Sequence, residues 1–130
     1  YVIEATLQGA VFDEGEQTGM VMDFGFLKDV MMERIYEPCD HGAVFYEDDP
    51  VFGLGYMTAR DPGWKVLHIN KVPTAENLAE YWHEEMLQGI GEYLMSTGIP
   101  TSHWPILEKI RVYETPNCFA DFYWEINGDD

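Results

Sequence analysis

Pro73-Thr74-Ala75-Glu76-Asn77-Leu78 opens the stretch that decides the architecture, because it sets the start and the buried face of the dominant helix. Thr74 stands just ahead of an apolar-periodic run, where its hydroxyl can accept from a backbone N–H of the first turn, and Glu76 sets an acid against the positive helix end. Leu78, Trp82, Met86, Leu87, Ile90 and Leu94 then form one apolar stripe that runs down to Gly98 and Pro100, which end it.

Outward from this helix the period changes from helical to alternating. Towards the C-terminus Ile110 and Val112 alternate with Lys109, Arg111 and Tyr113. The turn Thr115-Pro116-Asn117 follows, and Ala120, Phe122, Trp124 and Ile126 then alternate with Phe119, Asp121, Tyr123 and Glu125, which predicts a hairpin. Towards the N-terminus, residues 1–9 place Ile3, Ala5 and Leu7 on one side and Glu4, Thr6 and Gln8 on the other, the pattern of a half-buried strand. The polar stretch 13–19 breaks it. A second strand is predicted over 20–24, ending at Asp23, which caps a helix carrying Leu27, Val30, Met31 and Ile35 until Pro38 stops it. Residues 42–72 are irregular and rich in Gly, Pro and Asp, with one short strand at 66–69, and read as an insertion loop. The order strand, strand, helix, helix, strand, strand predicts one α+β domain over 1–130, an antiparallel sheet with two helices on one face.

The charge narrows the partners. With 24 acidic against 7 basic residues and a net charge of −17, the chain repels phosphate backbones and anionic lipid, so no nucleic acid and no membrane is expected. A hydrophobic fraction of 46% requires that this charge sit on a folded surface. A host with a salt-rich interior and an ordinary acidic enzyme explain it equally well. Cys39 and Cys118 suggest no cross-linked scaffold, and a reducing, cytoplasmic location is the expectation. No apolar run reaches the length of a membrane span. The chain opens on Tyr1 where translation would supply Met, so residues are expected upstream.

Two polar features carry chemistry. Asp40-His41 follows the first helix; an imidazole with a carboxylate beside it is a proton-transfer device, and a solvated surface turn is the alternative. Glu114 ends an apolar strand, where a carboxylate can accept two parallel N–H donors from a ligand; an ordinary strand-end acid is the alternative. Asp23-Phe24-Gly25 spells a kinase magnesium motif, but no companion loops accompany it. His83-Glu84 begins like a zincin helix, yet Leu87 occupies the place of the second histidine.

Four segments, Gly19-Met20-Val21-Met22-Asp23-Phe24, Asp40-His41, Pro73-Thr74-Ala75-Glu76-Asn77 and Val112-Tyr113-Glu114-Thr115-Pro116, resemble in their order and spacing the 6-pyruvoyltetrahydropterin synthase family. That family includes the 6-carboxytetrahydropterin synthases of the queuosine pathway. The resemblance runs from residue 1 to about 122, interrupted by the insertion. It implies a tunnelling fold whose sheets join edge to edge into a trimeric barrel, with two trimers stacked into a hexamer. It also implies a zinc-dependent carbon–oxygen lyase that converts 7,8-dihydroneopterin triphosphate into a 6-carboxy- or 6-pyruvoyl-tetrahydropterin with loss of triphosphate. On this resemblance Asp40 and His41 transfer protons, Glu114 grips the pterin ring, and Thr74 and Glu76 help to line the pocket, partly from a neighbouring subunit. Some of Lys28, Arg34, Arg60, Lys65, Lys71, Lys109 and Arg111 would meet the triphosphate. Three zinc-binding histidines, two of them in a His-X-His pair just before the first strand, and the nucleophilic cysteine are implied upstream of Tyr1; neither Cys39 nor Cys118 matches that cysteine by position. The alternative is a non-catalytic, oligomeric pterin-binding protein of this fold that lacks the metal site.

Overall fold

A computed structural model describes residues 1–9, 21–39, 42–47 and 65–124. In chain order the elements are β1 (Val2–Gln8), α1 (Phe24–Met31), a π-helical turn (Met32–Tyr36), α2 (Glu37–Cys39), β2 (Gly42–Tyr46), β3 (Lys65–Ile69), α3 (Ala75–Thr97), a 3-10 turn (Thr101–His103), β4 (Ile106–Thr115) and β5 (Cys118–Tyr123). The architecture is α+β. A three-stranded antiparallel sheet in the order β1-β4-β5 carries α3 on one face, and α1 with its π turn packs against α3.

The period-2 reading of the sheet holds. Ile3, Ala5 and Leu7 from β1, Leu107, Ile110 and Val112 from β4, and Ala120 and Phe122 from β5 meet the helix layer. Leu78, Met86, Leu94, Ile110 and Val112 are the largest fully buried side chains, so the core lies between α3 and the central strand. The Thr74 hydroxyl accepts from Asn77 N at 3.2 Å, and Gly98 closes α3 at φ 75°, a left-handed conformation that glycine adopts without steric cost. One member of the predicted stripe departs from it: Leu87 is 46% exposed. It lies one residue, hence about 100°, round the helix from Met86, while Ala75, Ala79, His83 and Gly89 complete the buried face.

Three further expectations are corrected. Val21 and Met22 form a bend and no strand; Asp23 already caps α1, its Oδ1 accepting from Gly25 N at 2.7 Å, and Met22 is buried in the core. A side chain committed to capping ends the extended run before a strand can form. Pro38 does not stop the first helix. The π turn has already moved the bonding so that Glu37 N–H reaches the Met32 carbonyl, and helical structure continues past the proline to Cys39. Finally, residues 42–72 contain an ordered parallel pair, β2 with β3, registering Gly42 with Lys65 and Tyr46 with Ile69. Parallel pairing needs a crossover of a dozen or more residues, and residues 47–64 supply that length.

The crossing of α1 and α3 turns on Gly89. A Cβ there would stand 2.6 Å from Val30 Cγ1 and 3.1 Å from Arg34 Cγ. In an exposed helix, replacing glycine by alanine gains about 1 kcal/mol, whereas overpacking costs about 1–3 kcal/mol. Gly89→Ala is therefore expected to lower stability by up to about 2 kcal/mol in urea denaturation; a raised midpoint would mean that the two helices do not approach this closely.

Candidate active site

The β4–β5 hairpin aims Glu114. Across the two-residue turn Thr115 pairs with Cys118, but Tyr113 pairs with Phe119, so Glu114 is the extra residue of a bulge. A bulge bends its strand and redirects a side chain. Here it brings Tyr113, Glu114 and Thr115 together with Tyr1, Val2 and Glu4 around a cavity of about 400 Å³. That is in the size range of small-molecule sites. Among the described residues neither Glu114 nor Glu4 makes a hydrogen bond or ion pair, so this cavity offers two carboxylates free to accept from a ligand's N–H groups.

Arg111 lies beside the cavity and is already engaged. Its Nε and Nη2 donate to Asp121 Oδ1 and Oδ2 at 2.8 and 3.0 Å, and its Nη1 donates to the Tyr113 hydroxyl at 3.3 Å. The bonds from Arg111 hold the Asp121 carboxyl below the usual carboxylate range, so the pair stays ionised at neutral pH.

A second cavity, of about 580 Å³, opens on the helix side of the same sheet corner, with Ile3, Lys28, Met31, Ile35, Cys39 and Trp82 among its walls. Tyr1 borders both cavities and meets Trp82 edge to face at 6.3 Å between centroids. Burial pushes the Cys39 thiol above its ordinary pKa, and the Trp82 indole and the Lys65 charge offset only part of this. A neutral thiol is a poorer nucleophile than a thiolate.

The catalytic candidates Asp40 and His41 lie outside the described residues; Cys39 before them borders the second cavity, and Gly42 after them begins β2. The corner around Tyr1 thus gathers Glu114 on one face of the sheet and Cys39 on the other. Thr74 and Glu76 are not part of it. Thr74 caps α3, Glu76 lies exposed in its first turn, and neither borders these two cavities.

Among the described residues the cations have separate partners. Arg34 pairs with Glu92, Lys71 with Glu80 and Arg111 with Asp121, while Lys65 Nζ donates to the Glu37 carbonyl at 2.5 Å. Lys28 borders the second cavity with no ion pair among the described residues, and Arg60 lies outside them.

The described histidines are placed apart. His83 is buried and its Nε2 is engaged with the Leu107 carbonyl at 3.0 Å; His68 is exposed near Glu47, and His103 is exposed in the 3-10 turn. Among the described residues no three His, Cys, Asp or Glu side chains gather as a metal site, so these residues do not fit the metal.

Comparison with known proteins decides the family. The family model described as 6-pyruvoyl tetrahydropterin synthase matches residues 1–125. The chain belongs to this family. It is similar to 6-carboxy-5,6,7,8-tetrahydropterin synthases from Rickettsia bellii (31% identical over 121 residues) and Rickettsia conorii (30% over 121), in each case over 93% of this chain and 78% of the relative. The enzyme of the same name from Haemophilus influenzae is 21% identical over 127 residues, which is 94% of this chain and 77% of the relative. No solved structure matches the chain. Membership in this family makes the protein a tetrahydropterin synthase, a lyase acting on a small pterin. The free carboxylate at the β4 bulge therefore falls in the Val112-Tyr113-Glu114-Thr115-Pro116 segment that carries the family resemblance. Among the described residues no helix is long and apolar enough to cross a membrane.

Tyr113, Glu4 and the Arg111–Asp121 pair were not singled out in the sequence. Arg111 opposes Asp121 only because of the bulge; plain alternation from the turn would set Asp121 against Val112.

Proposed function

We propose that the protein is a cytoplasmic 6-carboxy-5,6,7,8-tetrahydropterin synthase that converts 7,8-dihydroneopterin triphosphate with release of triphosphate. The observation that carries the reading is Glu114, an unpaired carboxylate at a β-bulge facing a cavity of pterin-compatible size. A pterin presents a ring N–H beside an exocyclic amine, and one carboxylate accepts both. Asp40-His41 then serves proton transfer, because an imidazole near its working pKa can take and return a proton while the carboxylate stabilises its cation. Lys28 at the second cavity supports binding of the anionic tail.

Zinc belongs to this proposal by resemblance, with its histidines placed upstream of Tyr1. The trimeric barrel stacked into a hexamer is likewise proposed, with Thr74 and Glu76 reaching a neighbour's pocket. The outer edges of β1 and β5 have no partner strand among the described residues, and Phe119, Tyr123 and Trp124 are exposed on or next to β5, so edge pairing would cover them. The deciding assay gives the purified full-length protein 7,8-dihydroneopterin triphosphate and follows triphosphate release together with product mass. Formation of the 6-carboxy product is expected; a protein that binds pterin and releases no triphosphate would refute the enzymatic reading.

A further inference from the structure

We propose that Arg111 and Asp121 form a positioning unit that fixes Tyr113 as a wall of the Glu114 cavity, so that a planar bicyclic ring meets the carboxylate edge-on. This rests on the pterin reading above. Tyr113 borders the cavity, and its hydroxyl accepts from Arg111 Nη1 at 3.3 Å. Its ring packs against Phe119 at 5.4 Å between centroids, and the Arg111 guanidinium lies 3.9 Å from the Phe119 centroid. The guanidinium is thus fixed by two bonds to Asp121 and by one aromatic face, and it holds Tyr113 through a third donor.

The same arrangement decides which carboxylates stay free. Arg111 is registered between Glu4 on β1 and Asp121 on β5, so it has an acid on each side. It pairs with Asp121, whose side chain is only 14% exposed, and Glu4 is left without an ion pair at the cavity. An ordinary cross-strand ion pair would stabilise the hairpin and leave ligand affinity alone. A positioning unit must act through Tyr113.

A double-mutant cycle separates the two roles. Affinity of the full-length protein for unsubstituted pterin, read from pterin fluorescence, is measured for Arg111→Met, Tyr113→Ala and the double variant. Tyr113→Ala is expected to weaken binding about tenfold and Arg111→Met about fivefold, whereas adding Arg111→Met to Tyr113→Ala costs less than about twofold more. Arg111→Lys is expected not to rescue, because an ammonium cannot bond in a fork and stack at once. Additive losses in the cycle, or wild-type affinity in Arg111→Met, overturn the proposal. If Arg111→Met does not fold, Asp121→Asn, which keeps the size and removes the charge, takes its place with the same expectations. Wild-type affinity in Glu114→Ala would sink the pterin-anchor reading and this proposal together, whereas additivity sinks the positioning role alone.

Discussion

His41→Ala is expected to cut turnover by about two to four orders of magnitude while leaving affinity for a non-reacting dihydropterin within about twofold. A group that moves a proton acts mainly in the transition state, so its loss falls on the rate. Cys39, which precedes the Asp40-His41 pair in the chain, is a thiol whose pKa burial raises, and His83 has its Nε2 engaged with the Leu107 carbonyl. Steady-state kinetics beside a binding titration check this. A variant that turns over at more than a tenth of the wild-type rate would remove His41 from the chemistry and leave the pocket assignment standing.

Glu114→Ala is expected to fail in the opposite way. Two charge-assisted hydrogen bonds to the pterin edge are lost, so affinity for a dihydropterin falls by about 1.5–3 kcal/mol, or about ten- to 150-fold. Glu114→Gln retains one acceptor but adds a donor facing the ligand's own N–H groups, and is expected to bind no better than the alanine variant. Calorimetric titration with a non-reacting dihydropterin reads both. Folding should be unaffected, because Glu114 is exposed and makes no contact that an alanine would strand. Wild-type affinity in either variant would move the anchor elsewhere and take with it the main structural support for the proposed substrate.

Much of the layer architecture was legible because it rests on period. Ile3, Ala5 and Leu7, Ile110 and Val112, and the stripe from Leu78 to Leu94 each report which face is buried, and a buried face is what the hydrophobic effect selects. What escaped depends on a single residue's geometry. The Glu114 bulge has no signature in composition, yet it resets the register of the hairpin and so chooses the partner of Arg111. The short strand read at 66–69 is β3, but its partner β2 and their parallel pairing escaped for a related reason: a five-residue strand far away in sequence is specified by tertiary contact more than by local pattern. At the site, the sequence pointed to Glu114 as a ligand anchor and to Thr74 as a helix cap that could also line a pocket. The structure adds that the Thr74 hydroxyl accepts from Asn77 N and that Glu114 borders a cavity, which alternation alone does not reveal.

The π turn at Met32–Tyr36 acts as a phase setting for everything that follows it. Relative to a regular α-helix it adds one residue, and one residue corresponds to about 100° of rotation and 1.5 Å of advance. Deleting a single residue there would leave the helix intact as a rod while turning its exit, so that Cys39 and the start of β2 left in a different direction. The direction in which the chain leaves Cys39 towards the proposed Asp40-His41 pair is therefore set upstream, in the π turn, and a one-residue change in its length would redirect that exit without altering any candidate site residue.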